Sequence, residues 1–206
     1  DNVAYNRWNE TTEKTTINLY NIKTKKNIEI DNYYNSDYGS WIYGQYVVWA
    51  DESSNNRKVY LYNINTKEKQ AIHNTTGAHN VRPVVYGDKV VWYDAYTFIY
   101  DILDKTITKL EDGDTHFNNF VSHLEIYDDR VVGDGASNND NDINIFVRDL
   151  KNGEEFRITH NEYMMHRGHD IYEDKIVWID YRDSLDTMSN IIDNRGDVFL
   201  YDLSTN

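Results

Sequence analysis

The strongest constraint on the fold of this chain is a tryptophan that recurs at a nearly fixed interval. Trp49, Trp92 and Trp178 each end a short apolar run, and each lies two positions before an aspartate. Gly133 stands at the corresponding place in a further copy, so the successive spacings are 43, 41 and 45 residues. Such a period indicates a repeat architecture in which each copy is one supersecondary unit.

Each copy contains four short segments of strand character. In the third copy, residues 84–86 stop at Gly87-Asp88, and residues 89–93, 98–102 and 106–110 follow after polar turns. Glycine and aspartate are turn residues, whereas β-branched and aromatic residues favour strands. The pattern predicts four antiparallel strands joined as a meander.

A single sheet of this kind cannot bury its apolar faces alone, so neighbouring copies are expected to stack face to face around an axis. The sequence therefore predicts an all-β fold, a β-propeller of about five four-stranded antiparallel blades with a period of about 42 residues. A β-sandwich ranks behind this prediction because it does not require a fixed four-strand repeat.

The repeats divide one predicted domain, residues 1–206, into five units. Their approximate bounds are 1–30, 41–72, 82–110, 121–159 and 169–206. The first unit offers no candidate for its first strand, and the last offers none for its fourth. Either the terminal segments complete one another in a five-bladed ring, which we favour, or the chain is a fragment of a longer protein with further repeats.

Charge and composition narrow the range of partners. The chain has 35 acidic and 21 basic residues, for a net charge of −14. A surface of this sign repels phosphate backbones and anionic lipids, so neither nucleic acid nor membrane is an expected partner. No apolar run reaches 18 residues, so no membrane insertion is predicted. The chain has no cysteine, which excludes disulfides and thiolate metal sites.

The motif at residues 86–94, Tyr-Gly-Asp-Lys-Val-Val-Trp-Tyr-Asp, and the strand at 197–205, Asp-Val-Phe-Leu-Tyr-Asp-Leu-Ser-Thr, resemble TolB-like β-propeller repeats. The likeness is greatest to propeller repeats of archaeal and bacterial cell-surface proteins. It implies an extracellular or cell-surface module without catalytic activity, which mediates protein contacts or builds part of the envelope. Gly133, in place of the repeated tryptophan, departs from the pattern.

A possible metal site is an oxygen-rich loop in the fourth unit. Asn138, Asp140 and Asp142 alternate along this loop, and Ca²⁺ takes 6–8 oxygen ligands of this type. The glycine and the terminal glutamate of an EF-hand are absent, so a solvated loop is the favoured alternative. Calcium is thus the one cofactor that the sequence suggests, and the loop at 183–197 raises the same question more weakly.

Aspartates and histidines also recur between the strands. Asp51, Asp94 and Asp180 follow the second strands, with Asp134 one place earlier, and we expect them to cap the turns there by accepting hydrogen bonds from neighbouring backbone N–H groups. The alternative is a ring of carboxylates for catalysis or metal binding. Most of the seven histidines lie in the predicted linkers between units. A zinc cluster there is the alternative to ordinary polar linker residues, which we favour.

Four tyrosines in loops or at strand ends are the predicted ligand-binding residues: Tyr38, Tyr96, Tyr163 and Tyr181. Exposed tyrosines anchor protein interfaces and stack on sugars. The first functional hypothesis is a non-enzymatic propeller that contacts protein, and the second is a lectin-like propeller that binds cell-surface glycan. A glycoside hydrolase ranks last because the compact repeats leave little loop for a substrate pocket.

Overall fold

The structure is a computed structural model that describes residues 1–34, 39–51, 57–75, 81–110, 123–136, 143–160, 166–181 and 196–205. Within these ranges the chain forms strands that pair antiparallel, and its one helical segment is a 3-10 turn at Leu203–Thr205. The described part of the chain contains no helix that is long and apolar enough to span a bilayer.

The first compact unit, Asp1–Lys109, holds three sheets among its described residues. In each sheet the strands follow one another in chain order, as a meander requires. Sheet 1 contains β1 (Asn2–Asn9), β2 (Lys14–Asn21) and β3 (Lys26–Tyr34). Sheet 2 contains β4 (Trp41–Tyr43), β5 (Tyr46–Asp51), β6 (Lys58–Asn63) and β7 (Glu68–Asn74). Sheet 3 contains β8 (Val84–Tyr86), β9 (Lys89–Tyr93), β10 (Thr97–Asp101) and β11 (Thr106–Lys109).

The second compact unit, Leu110–Asn206, holds two sheets among its described residues. Both are meanders as well. Sheet 4 contains β12 (Leu124–Tyr127), β13 (Arg130–Ala136), β14 (Ile143–Asp149) and β15 (Glu155–Arg157). Sheet 5 contains β16 (His166–Tyr172), β17 (Lys175–Asp180) and β18 (Asp197–Asp202).

Each sheet presents two different apolar faces, because side chains alternate along a strand. In sheet 2, Trp49 lies opposite Tyr60 on one face, and Val48 lies opposite Leu61 on the other. We call these the tryptophan face and the aliphatic face, and the same names apply to the corresponding positions of the other sheets. In the first unit, the aliphatic face of one sheet packs on the tryptophan face of the next, so that these side chains are buried.

The second unit repeats this packing between its two sheets. Val132, Ile145 and Val147 form the aliphatic face of sheet 4. They are fully buried against the tryptophan face of sheet 5, which contains Ile176 and Trp178. The repeated apolar pattern therefore has one physical cause in both units, namely burial between consecutive sheets.

The three repeated tryptophans have the same surroundings. Each ring stacks on the aromatic side chain directly opposite on the third strand, with ring centroids 5.5 to 5.7 Å apart; the pairs are Trp49–Tyr60, Trp92–Phe98 and Trp178–Phe199. Gly133 leaves its partner Phe146 without an indole, although Phe146 is buried. The expectation that the tryptophans form core between sheets is confirmed within each unit.

The turns between the third and fourth strands share one chemical feature. The residue that ends the third strand has a side-chain oxygen that accepts backbone N–H bonds from two or three residues further on. These residues are Asn21, Asn63, Asp101, Asp149 and Asp202. In sheet 5 the Ser204 hydroxyl also donates a hydrogen bond to the Asp202 carboxylate, and Lys175 donates another. The bond from Ser204 and, second to it, the bond from Lys175 lower the pKa of Asp202 to about 2. Each such turn closes locally, and in sheets 1 to 4 this fixes the register of the following strand.

The all-β class and the four-stranded meander are confirmed, the latter in sheets 2, 3 and 4. Sheets 1 and 5 have three strands each among the described residues. Sheet 1 lacks the first strand of the repeat and sheet 5 lacks the fourth, as the sequence indicates. β1 is longer than expected and runs from Asn2 to Asn9. The number of blades and the closure of a ring stay predictions.

Candidate functional site

Two of the predicted site residues, Tyr96 and Tyr181, lie within the described part of the chain, one in each unit. Tyr38 and Tyr163 lie outside the described residues, and so do the predicted calcium ligands Asn138, Asp140 and Asp142. Of the described groups of histidine and acidic residues, none has the geometry to hold a metal ion. The calcium site therefore stays a prediction.

The two described tyrosines of the predicted set are partly covered. Tyr96 lies in the turn between β9 and β10, and the Lys109 Nζ is 3.2 Å from the centroid of its ring. The near face of that ring is therefore occupied by a cation of the same chain. Tyr181 directly follows β17 and is half-buried. The two residues belong to different units, and their role in ligand binding stays a prediction.

The repeated aspartates bind backbone and side-chain groups. Asp134 Oδ1 accepts a hydrogen bond from the backbone N–H of His123, 3.1 Å away, which fixes the segment that enters β12. Asp94 is buried, and its Oδ2 lies 3.6 Å from the Nε2 of His73. Asp134 thus accepts a hydrogen bond from a backbone N–H of the preceding linker, and the predicted cap of its adjacent turn stays a prediction.

Two histidines and a carboxylate meet between sheets 4 and 5. His123 Nε2 lies 2.8 Å from Glu125 Oε1, and the rings of His123 and His169 are 5.4 Å apart, edge to face. Burial raises the pKa of Glu125, and the hydrogen bond with His123 partly opposes this shift. His166 and His169 lie within β16 and His73 lies within β7, so for these three residues a linker position is wrong.

A second group of aromatics lies at the opposite end of the sheets, where the first strand turns into the second. In the first unit, the rings of Tyr43 and Tyr86 are 4.2 Å apart. In the second unit, the rings of Tyr127 and Tyr172 are 5.1 Å apart in an edge-to-face arrangement. From the sequence, these tyrosines were predicted only as strand residues. Their recurrence as the last residue of each first strand is the signal that would have identified them.

The second unit has a cleft beside its tyrosine pair. The cleft has a volume of about 340 Å³ and takes its walls from turns of sheets 4 and 5. We call it the carboxylate cleft; its lining residues are Tyr127, Asp128, Asp129, Arg130, Asp149, Lys151, Glu173 and Asp174. The turn geometry depends on two residues with positive φ, Asp128 at 54° and Glu173 at 53°.

Negative charge dominates the carboxylate cleft. Its lining has five carboxylates and two cations, and both cations form ion pairs within the cleft. Arg130 Nη1 lies 2.5 Å from Asp174 Oδ1, and Lys151 Nζ lies 2.6 Å from Asp129 Oδ2. The hydrogen bond to Asp129 raises the pKa of Lys151. The cleft thus has more carboxylates than cations, and the exposed Tyr172 lies beside it, against the half-buried Tyr127 of its wall.

The described fold is that of a β-propeller, as solved structures show. The chain is similar to TolB from Acinetobacter baumannii with a TM-score of 0.65 and 10% identity, over 98% of this chain and 52% of that one. It therefore spans about half the length of that protein. No protein-family model matches the sequence, and no curated protein matches it.

Two further structures show how widely this fold is shared. A nidogen/laminin complex matches with a TM-score of 0.57 and 11% identity, over 98% of this chain and 77% of that one. The acylaminoacyl peptidase of Pyrococcus horikoshii matches with a TM-score of 0.60 and 14% identity, over 92% of this chain and 29% of that one. At these identities the similarity concerns the fold alone. A TolB-like β-propeller fold is therefore established, and its activity is a separate question.

Proposed function

We propose that this protein is a non-catalytic β-propeller module that binds another protein, and that the carboxylate cleft is its contact site for a basic segment of that partner. The observation that carries the proposal is the exposed Tyr172, supported by the half-buried Tyr127, beside an excess of carboxylates. Within the proposal, the protein works outside the cell or at the cell surface, as the resemblance of its repeats implies. A five-bladed ring belongs to the same proposal.

The aromatic edge of the cleft suits a protein partner. Tyr172 is 66% exposed, although its ring contacts Tyr127 on one side. Tyrosine is enriched at protein interfaces because it buries a large apolar area with few rotatable bonds and still offers a hydroxyl. A half-supported ring loses less conformational entropy on binding than a free one, which favours Tyr172 as an anchor.

The charge of the cleft points to a basic segment. Asp149 and Glu173 supplement the three carboxylates that already pair with Arg130 and Lys151, namely Asp174, Asp129 and Asp128. An incoming arginine or lysine can bind these acceptors through charge-assisted hydrogen bonds. The net charge of −14 also speeds the encounter with a basic partner at low salt.

One structure of similar fold, a nidogen/laminin complex, is consistent with this proposal. The association of nidogen with laminin is a property of those two proteins and not of this chain. What it contributes is that a propeller of this kind can present a surface to another protein. The peptidase of Pyrococcus horikoshii matches over only 29% of its chain, and this does not favour a hydrolase over a binding module.

A peptide-binding experiment tests the proposal. The probe is a fluorescein-labelled peptide of about 12 residues that alternates arginine and serine, a length that can span a cleft of this size. We expect its fluorescence anisotropy to rise on titration with the protein, and Tyr172→Ala to weaken the binding about tenfold. The affinity should fall as sodium chloride is added, because the contact depends on charge.

Two controls make the result specific. Phe156→Ala removes an exposed aromatic from β15 of the same unit, and the peptide affinity should not change. A glutamate-and-serine peptide should not bind. Equal binding of the two peptides, or equal effects of the two substitutions, would refute the cleft as a basic-segment site. Binding of oligosaccharides on a glycan array, lost in Tyr172→Ala, would instead favour the lectin-like alternative.

A further inference from the structure

Lys151 is a cation of this chain that lies on two carboxylates of the carboxylate cleft. Its Nζ lies 2.6 Å from Asp129 Oδ2 and 4.0 Å from Asp128 Oδ2. The lysine belongs to the turn between β14 and β15, and both aspartates belong to the turn between β12 and β13. These contacts therefore lie within sheet 4 and do not join it to sheet 5. The cleft thus already holds a basic side chain where a basic partner would bind.

The Lys151 side chain is open to water while it makes these contacts. It is 69% exposed, and the side chain of Asp128 is 71% exposed. An ion pair at such a position is weak, because water competes for both ions and the long lysine side chain must be held in one geometry. The side chain of Asp129 is only 17% exposed, so solvent screens its charge less. A cation that replaces Lys151 on Asp129 therefore displaces a weakly held group from a good acceptor.

The other cation of the cleft has a different position. Arg130 begins β13 of sheet 4, and its Nη1 lies 2.5 Å from Oδ1 of Asp174, in a turn of sheet 5. This pair joins the two walls of the cleft, so its loss would change the shape of the cleft as well as its charge. Lys151 pairs within one wall. It can leave the aspartates without separating the two sheets.

We propose that Lys151 stands in for the partner's basic side chain in the free protein, and that an arginine of the partner displaces it from Asp129 and Asp128. This inference rests on the proposed function, because it assigns a step to the binding of a basic segment by the carboxylate cleft. Binding is then an exchange of one cation for another. Lys151 lowers the affinity for basic segments, and only those that gain more than Lys151 loses are retained.

The chemistry of the two cations favours the exchange. The guanidinium group of arginine is planar and carries five N–H donors, so it can bond two carboxylate oxygens at once. The ammonium group of Lys151 is close to one carboxylate, and the second is 4.0 Å away. After displacement the ammonium group returns to water, in which most of the side chain already lies. The incoming arginine thus gains a better geometry, and Lys151 loses little.

The first experiment compares the affinities of the wild-type chain and Lys151→Gln for the fluorescein-labelled arginine–serine peptide, by anisotropy at one ionic strength. We expect Lys151→Gln to bind about threefold more tightly, because no resident cation has to be displaced. Lys175→Gln is the matched control. Lys175 belongs to the same unit, pairs with Asp202 of its own sheet at 2.9 Å and does not line the cleft. This control removes the same charge and should change the affinity much less.

The second experiment is a double-mutant cycle with Asp129→Asn, which removes the carboxylate nearest to Lys151. In the Asp129→Asn chain, Lys151→Gln should lose most of its effect on peptide affinity, because Lys151 no longer occupies that acceptor. Additive effects of the two substitutions would show that Lys151 acts through its charge alone, and the proposal would be wrong. Circular dichroism checks that each variant folds, and Lys151→Ala should tighten binding in the same direction as Lys151→Gln.

The outcomes separate this inference from the function on which it rests. If the wild-type chain binds the peptide and Lys151→Gln binds it no more tightly, the displacement of Lys151 is refuted and the binding function stands. If none of the chains binds the peptide, both are refuted. An equal gain in Lys151→Gln and Lys175→Gln would also overturn the inference. If Lys151→Gln binds and the wild-type chain does not, Lys151 blocks the cleft more fully, which supports the inference.

Discussion

At the scale of single residues, the repeated tryptophans combine a large apolar contribution with an unmet polar group. The indole Nε1 atoms of Trp49, Trp92 and Trp178 are buried and have no hydrogen-bond partner among the described residues. A buried N–H without an acceptor costs about 1–3 kcal/mol. The indole rings therefore stabilise the fold through packing and ring stacking, whereas their unpaired N–H groups destabilise it.

This opposition predicts different effects for two substitutions of Trp92. Trp92→Ala should destabilise the fold by about 3–5 kcal/mol, because it opens a cavity in the core of the first unit. Trp92→Phe loses less buried area and also removes the unsatisfied N–H, so we expect a loss under about 1 kcal/mol. Urea unfolding followed by circular dichroism measures both, with Trp8→Ala at an exposed site as the control. Equal losses for the two Trp92 variants would show that the N–H is satisfied in solution.

Glu125 links stability to pH through its burial. Its pKa is raised above the ordinary value of 4.5, mainly by desolvation, and the nearby Asp170 raises it further while His123 lowers it. The native state thus holds a proton at pH values where the unfolded chain has released it. The free energy of unfolding that Glu125 contributes should therefore fall as pH rises from 4.5 through its folded pKa.

The test compares the wild-type chain with Glu125→Gln across that range of pH. Glutamine keeps the shape of the side chain but cannot titrate, so its stability should decline less steeply as pH rises above 4.5. The remaining carboxylates are shared by both proteins, and the difference between the two curves isolates Glu125. Chemical denaturation at each pH gives the curves. Parallel curves would mean that the carboxyl of Glu125 titrates alike in the folded and unfolded states.

At the scale of secondary-structure elements, the turns between third and fourth strands place one residue in the left-handed region. That residue is Lys25, Lys67, Lys105 or Gly153, with φ between 56° and 76°. Its backbone N–H bonds the carbonyl four residues earlier in the turns of Lys25, Lys67 and Gly153. A left-handed conformation costs a non-glycine residue about 1–2 kcal/mol, and glycine avoids that cost.

Lys67→Gly should therefore stabilise the chain by about 0.5–1 kcal/mol, because the relief of strain exceeds the added entropy of the unfolded chain. Gly153→Ala, at the matching place in sheet 4, should destabilise it by about 1 kcal/mol. There the new Cβ would lie 3.8 Å from an Arg148 nitrogen, an ordinary contact, so that backbone strain is the main cause. Thermal unfolding of the two variants should move in opposite directions. A shift of the same sign in both would contradict the argument.

The elements also show what the sequence could predict. The tryptophan period and the alternation of residues such as Val48 and Trp49 predicted the strands, because burial between sheets depends on side-chain type. Gly87 predicted its turn because glycine adopts a positive φ without steric cost, and its φ is 59°. The tyrosine pair of the carboxylate cleft was missed, since the contact of Tyr127 with Tyr172 depends on the spacing between two sheets. Nothing in the local pattern encodes that distance.

At the scale of the whole molecule, the dominant electrostatic property is the net charge of −14. Ion pairs such as Lys23–Asp1 and Lys175–Asp202 offset part of the repulsion that this charge causes. Pairs at the surface contribute little to stability, and salt screens them. The excess of carboxylates repels itself in the compact state, and salt screens that repulsion too. Because the acidic residues outnumber the basic ones by a wide margin, repulsion should be the larger of the two effects.

We therefore expect sodium chloride to raise the thermal stability of the whole chain, with a rise of about 2–4 °C in Tm between about 20 and 500 mM. Magnesium and calcium chloride at matched ionic strength should give the same rise if screening is the whole cause. A calcium site at Asn138, Asp140 and Asp142 would add a second rise that saturates near millimolar Ca²⁺ and is absent with Mg²⁺. Asp140→Asn would remove that second rise and leave the first intact, because a single charge barely changes the net repulsion. A Tm that falls with added sodium chloride would show that the ion pairs outweigh the repulsion.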